Sequence, residues 1–171
     1  MIRFCLLLVI SAICINSAEQ ETPKLEFFCQ LNVKIEKPIV IGEVPLGTRR
    51  VIPIVGGSVN GPAIKGEIMN VGADWQIVRK DGVAELEALY QFKTDDGVII
   101  FIRNLAKRVA TPEVAEKISR GEKVDVSQYY FRGTPKFEAP PGKYAWINDT
   151  VFICTGERLP GSVLINVWRV F

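Results

Sequence analysis

The sequence predicts an all-β fold, a closed antiparallel barrel of roughly eight or more short strands with one short helix. Three observations predict it. β-rich runs follow one another after residue 23, broken by Gly and Pro; two Asp-Gly pairs stand between such runs; and a single stretch has helical punctuation. Closure is expected because it removes the exposed edges that so many strands would otherwise leave.

The chain opens on "MIRFCLLLVISAICINSA", with Arg3 ahead of an apolar run from Phe4 to Ile15 and small or polar residues up to Ala18. That is the layout of a secretory signal peptide at 1–18, and the run is short for a bilayer span. The expectation is a secreted, extracellular protein with one domain at 19–171; the 153 residues left from 171 are enough for a proper core. Without Arg3 the charged residues number 20 basic (21 less one) against 19 acidic, a net +1. They are spread along the chain, so neither nucleic acid nor, once the signal is cleaved, a membrane is expected as partner. The oligomeric state is left open.

The first strand is read in "KLEFFCQLNVKI", and "KPIVIGEVPLG" breaks the run at Pro38, Pro45 and Gly47. "TRRVIPIVGGSV", "AIKGEIM" and "DWQIVR" follow. Asp81-Gly82 then leads into "VAELEALYQFK", and Asp96-Gly97 into "GVIIFIRN". An Asp-Gly pair between β-rich runs marks a hairpin turn whose two central residues both take positive φ, and two in succession make a meander. In "AELEALYQF" the alternation sets Ala84, Leu86, Ala88, Tyr90 and Phe92 on one face and Glu85, Glu87 and Gln91 on the other. "TPEVAEKISRG" is the helix, with Thr111 as N-cap, Pro112 at the first position and Gly121 as stop. "QYYFRGTPKFEAPPGKYAWIN" reads as a long loop or edge region, before closing strands in "TVFICTGER" and "SVLINVWRVF".

With Cys5 and Cys14 in the signal, Cys29 and Cys154 are the remaining thiols. An even pair in a secreted chain suggests a disulfide between the first strand and one of the last, with two buried free thiols as the alternative.

The ordered set "GEVPLGTRR", "GGSVNGPAIKGEI", "GADW", "RKDGV", "TDDGVII", "YYFRGTPKFE", "YAWIN" and "VFICTGER" resembles the domain of unknown function 3237 family, over roughly residues 25 to 171. The resemblance implies a calycin or lipocalin-like antiparallel barrel of about 8–10 strands around an interior pocket. Some fungal members of that family are linked to cofactor-free ring-forming steps. Two departures, Val71 beside Gly72 and the glycine-free "RNLAKR", fall where loops would rim the pocket.

The chain has no histidine. Ser-His-Asp and Cys-His nucleophilic systems and the usual histidine zinc site are therefore excluded. No cofactor and no metal are expected: Asp81 and Asp95-Asp96 lack a calcium loop's spacing, and the glycines of 56–82 precede no helix that would hold a nucleotide. The leading expectation is a barrel that binds a small, largely apolar or aromatic molecule. Trp75, Tyr90, Tyr130, Arg132 and Trp146 would line the pocket or its rim, and Arg50, Asp74 and Asn148 would orient the ligand. The rival is a cofactor-independent isomerase, cyclase or hydro-lyase, with Asp74 moving a proton, Arg50 stabilising negative charge and Tyr130 as acid. A filled barrel serving as an interaction module is the third. Asn148-Asp149-Thr150 is a glycosylation sequon, which an inward or hydrogen-bonded Asn148 would leave unmodified.

Overall fold

A computed structural model describes residues 21–171; the signal peptide expected at 1–18, with Cys5 and Cys14, lies outside the described residues. Nine strands form: β1 (Leu25–Ile35), β2 (Ile39–Val44), β3 (Gly47–Asn60), β4 (Lys65–Val78), β5 (Ala84–Thr94), β6 (Ile99–Ala110), β7 (Tyr129–Glu138), β8 (Phe152–Leu159) and β9 (Ser162–Val170). Helix α1 (Pro112–Ser119) joins β6 to β7. Pairing runs β1-β9-β8-β7-β6-β5-β4-β3, and β3 pairs back to β1, so eight strands close into an antiparallel barrel. Strand β2 is the ninth; it pairs with β3 beyond the point where β1 leaves it.

The glycines of residues 56–82 make that closure possible. The register of β3 on β4 shifts between Pro53 and Gly57, and that of β4 on β5 between Ile68 and Gly72. Gly57 has φ +133°, and a Cβ there would lie 1.9 Å from the Asn32 carbonyl oxygen of β1. Only a residue without a side chain lets β3 bend and still meet β1.

Alternation fixes which side chains enter the barrel. On β5, Ala84, Leu86, Tyr90 and Phe92 are buried; on β6, Ile100, Ile102, Asn104 and Arg108 are buried while Arg103, Leu105 and Lys107 are exposed. One end is plugged by Phe28, Phe137 and Phe152, with ring centroids 4.9–5.5 Å apart, and Trp146 lies 5.6 Å from Phe28 on a 3-10 turn at Ala145–Asp149. A second apolar cluster lies toward α1, where Val114 and Ile118 pack with Leu86, Tyr129 and Phe131. Thr111 caps α1, its side chain accepting from the Val114 amide.

Two expectations are corrected. "YYFRGTPKFE", read as a loop or edge region, is β7, in unbroken register with β6 from Tyr129 to Glu138. Tyr129, Phe131, Pro135 and Phe137 alternate inward, a period of two that Gly133 and Pro135 disguise. Pro135 is accommodated because β7 pairs with β8 only at Arg132–Thr155 and Gly133–Cys154, so its missing N–H interrupts no longer ladder. The disulfide is the second correction: Cys29 and Cys154 are free and buried. Both sit opposite Val167, Cys29 from β1 and Cys154 from β8, with β9 between them. Two strand spacings, about 9–10 Å, separate their backbones, beyond the roughly 7 Å that a disulfide spans.

Candidate functional site

Between the plugged half and the helix-capped half the barrel interior turns polar. Strand β4 contributes Asp74 and Gln76, β3 Arg50, β5 Tyr90, β6 Asn104 and Arg108, and β8 Arg158. Each is in phase with inward apolar neighbours on its own strand, so the backbone that buries the core also carries these groups inside. Asp74, Gln76, Tyr90, Asn104, Arg108 and Arg158 line one cavity with Ile52, Leu86, Phe131 and Ile165, and the cavity encloses about 40 Å³. Arg50 stands behind Gln76 rather than on the cavity wall.

The bonds within this belt run in sequence. Arg50 Nε donates to Gln76 Oε1 at 2.9 Å, and Gln76 Nε2 donates in turn to Asp74 Oδ2. Asp74 Oδ1 is buried with no partner, and so is the Tyr90 hydroxyl. Tyr129 accepts from the Arg158 backbone N–H at 2.9 Å, while the Arg158 guanidinium donates to the carbonyl oxygens of Leu159 and, at 2.8 Å, Ser162. Asn104 faces the Cys154 sulfur at 3.7 Å.

Burial dominates the electrostatics. It raises the Asp74 carboxyl above the ordinary aspartate range, against the Gln76 hydrogen bond, the charges of Arg108 and Arg50 and, least, the Glu87 backbone N–H, which approaches without the geometry of a full hydrogen bond to Oδ1. Burial, reinforced by the like charges of Arg50 and Arg158, lowers Arg108 to about 10. Burial lowers Arg50 and Arg158 as well, with Arg50 adding repulsion at Arg158. The Tyr90 phenol is held well above its usual value, again chiefly by burial. All three arginines remain protonated at neutral pH, and Asp74 offsets the charge of two of them, Arg50 and Arg108.

The structure does not bring all the expected residues together. Asp74 and Tyr90 line the cavity and Arg50 adjoins it. Tyr130 and Arg132 project from the outer face of β7; Tyr130 is 52% exposed, with the Arg132 guanidinium 5.3 Å from its ring centre. The expected trio of Asp74, Arg50 and Tyr130 is therefore not assembled, and the residues that flank Tyr130 on that strand, Tyr129 and Phe131, are the ones that point inward. Trp75 points outward, 45% exposed, because it is one residue out of phase with Asp74. Trp146 packs at the plugged end, away from the cavity. Asn148 clasps the Ala139 backbone: its Oδ1 accepts from the Ala139 N–H at 2.9 Å and its Nδ2 donates to the Ala139 carbonyl at 3.0 Å. A glycan would have to be carried on that engaged nitrogen.

Gln76, Asn104, Arg108 and Arg158 were not singled out from the sequence. Their signal was parity: Arg108 is in phase with Ile100 and Ile102, and Arg158 with Phe152 and Cys154. Among the described residues no three His, Cys, Asp or Glu side chains gather as a metal site. Asp96 accepts from Thr94 Oγ1 at 2.6 Å, Lys143 Nζ at 2.8 Å and Tyr144 at 3.0 Å, which explains it as turn chemistry.

Comparison with known proteins places this barrel among uncharacterised ones. The family model described as "Protein of unknown function (DUF3237)" matches residues 23–170. A UPF0311 protein of Clostridium acetobutylicum is 40% identical over 141 residues, covering 82% of this chain and 89% of that protein. The crystal structure of a conserved protein of unknown function from Rhodopseudomonas palustris superposes with a TM-score of 0.85 at 36% identity, over 88% of this chain and 99% of that one. A β-barrel-like protein from Acinetobacter baumannii gives a TM-score of 0.79 at 33% identity, over 90% and 99% of the two chains.

Proposed function

The chain belongs to the DUF3237 family, and from the interior of its barrel we propose that it binds a small molecule, largely apolar or aromatic, with a polar anchor. The observation that carries this reading is the pair of buried polar atoms without partners, Asp74 Oδ1 and the Tyr90 hydroxyl, on residues lining one cavity. Leaving such an atom unpaired costs on the order of 1–3 kcal/mol, and a ligand that bonds to it recovers that cost. The anchor enters the polar belt, while Ile52, Leu86, Phe131 and Ile165 offer apolar surface to the rest of the molecule. A volume of about 40 Å³ holds only an anchoring group, so the ligand's body is admitted by side-chain movement at the cavity wall. We place the protein outside the cell, on the strength of the signal-peptide layout read in residues 1–18; its recovery from the medium of expressing cells, with the N-terminus trimmed, is the expected result.

A native mass spectrum of the intact protein tests the binding reading. The expected result is a non-covalent adduct that is lost on denaturation and weakened by Tyr90→Phe. An empty protein whose melting temperature is unmoved by any member of a metabolite library would overturn it.

A further inference from the structure

The polar belt carries more positive charge than the protein itself neutralises. Arg50 and Arg158 are close enough for their charges to depress Arg108, Arg50 does the same to Arg158, and Asp74 is the carboxylate that acts on Arg50 and Arg108. Among the described residues none of the three has a carboxylate oxygen within the 4.0 Å of an ion pair. Arg108 is 9% exposed and lies on the cavity wall, while Arg50 and Arg158 are half-buried. Arg158 gives part of its guanidinium to turn carbonyls, and Arg50 gives its Nε to Gln76.

A buried guanidinium without an ion-pair partner is expensive, since desolvation removes its hydration and Asp74, beyond ion-pair distance and acting on Arg50 as well, returns only part of the Coulomb energy. Folding retains such a group where an arriving anion completes the pair. A guanidinium fork matches a carboxylate in two parallel hydrogen bonds, and the cavity it faces is otherwise lined by Ile52, Leu86, Phe131 and Ile165. We infer that the ligand is an apolar or aromatic monocarboxylic acid, its carboxylate seated on Arg108 and Arg158 and bonded by the Tyr90 hydroxyl. The inference rests on the small-molecule reading above and names the ligand class of that same cavity. Asp74 has the opposite effect: its charge opposes the incoming carboxylate, and its neutral form accommodates it.

The test titrates trans-cinnamate and its neutral isostere cinnamamide into the wild-type protein, Arg108→Met, Arg158→Met and Asp74→Asn, read by chemical shifts and calorimetry. Cinnamate is expected to bind at least about tenfold more tightly than the amide, as befits a charge-assisted pair. Arg108→Met removes that preference, Arg158→Met reduces it, and Asp74→Asn enlarges it. Arg108→Met also melts higher without ligand, by about 2–4 °C, because it deletes an unpaired buried charge. A purely structural arginine would give the opposite sign. Equal binding of the two probes leaves the small-molecule reading standing and overturns the carboxylate. If neither probe binds, the native mass spectrum decides: an acidic adduct supports the inference, a neutral adduct overturns it alone, and an empty protein that no member of the metabolite library stabilises overturns both.

Discussion

Cys29 and Cys154 show how much one residue's meaning depends on its neighbours across the sheet. Both thiols are buried, and burial pushes their pKa values up, Cys29 to about 12 and Cys154 to about 11. A thiol so raised has almost no thiolate at pH 8 and no route to a reagent. The folded protein is therefore expected to resist iodoacetamide at both positions, and both should label fully after unfolding without reductant. Labelling only after reduction would restore the disulfide. Asn148 offers a second residue-scale prediction. Its amide makes both hydrogen bonds of a backbone-like pair with Ala139, so Asn148→Ala should destabilise by about 1–2 kcal/mol, measured by urea unfolding. Asn148→Asp, which keeps the acceptor and loses the donor, should fall between.

At the scale of the elements, the most constrained junction is where β3 bends to meet β1. Gly57→Ala sets a methyl group 1.9 Å from the Asn32 carbonyl at a φ that alanine resists, so β1 and β3 must separate. A loss of roughly 3 kcal/mol or more is expected, seen as a melting temperature lower by at least about 6 °C. The turn between β5 and β6 is held differently, by Asp96 reaching Lys143 and Tyr144 of the segment before the 3-10 turn. The Lys143 bond, aided by Thr94 and Tyr144, holds the Asp96 carboxyl below the usual range. A depressed carboxylate stabilises the fold above the ordinary aspartate value near pH 4 and loses that contribution as pH falls through its folded value. Thermal melts followed from pH 6 downward should show a decline that Asp96→Asn flattens, the variant starting lower. These elements differ in how openly the sequence announces them. The hairpins at the Asp-Gly pairs, the inward face of β5 and the capped ends of α1 obey local rules and were legible, although only Gly82 and Gly97, and not Asp81 or Asp96, take the positive φ expected of both turn residues. Strand β7 was not, because three successive aromatics from Tyr129 to Phe131 read alike in either phase. Only Phe137, beyond Gly133 and Pro135, sets Tyr129 inward and Tyr130 outward. For Arg108 the phase was readable, but "RNLAKR" carries basic residues on both faces, and alternation alone does not say that one face is sealed.

At the scale of the whole molecule, closure decides what local patterns leave open. Strand β9 lies between β1 and β8 and so separates Cys29 from Cys154, while β7 alone stands between β8 and β6, which sets Arg158 on the cavity it shares with Arg108. The wall is not equally strong all round. Strands β5 and β6 pair over ten positions, β6 and β7 over ten, β1 and β9 over nine, but β7 and β8 over two. A groove lined by Tyr130, Arg132, Ile153 and Trp168 overlies that seam on the outside, while Phe131 and Gly156 are in contact beneath it. A barrel with a 40 Å³ cavity and a ligand larger than that must open somewhere, and the junction with the fewest backbone bonds opens at the lowest free energy. Amide hydrogen exchange should therefore be fastest, by about tenfold or more, along the facing edges of β7 and β8, since each 1.4 kcal/mol of lesser opening energy is a factor of ten. A bound acid, by bridging Arg108 on β6 to Arg158 on β8, should slow exchange there more than in β4 or β5. Uniform protection around the barrel, with or without ligand, would show that the seam is as rigid as the rest and that entry lies at the β2–β3 end beside Arg50.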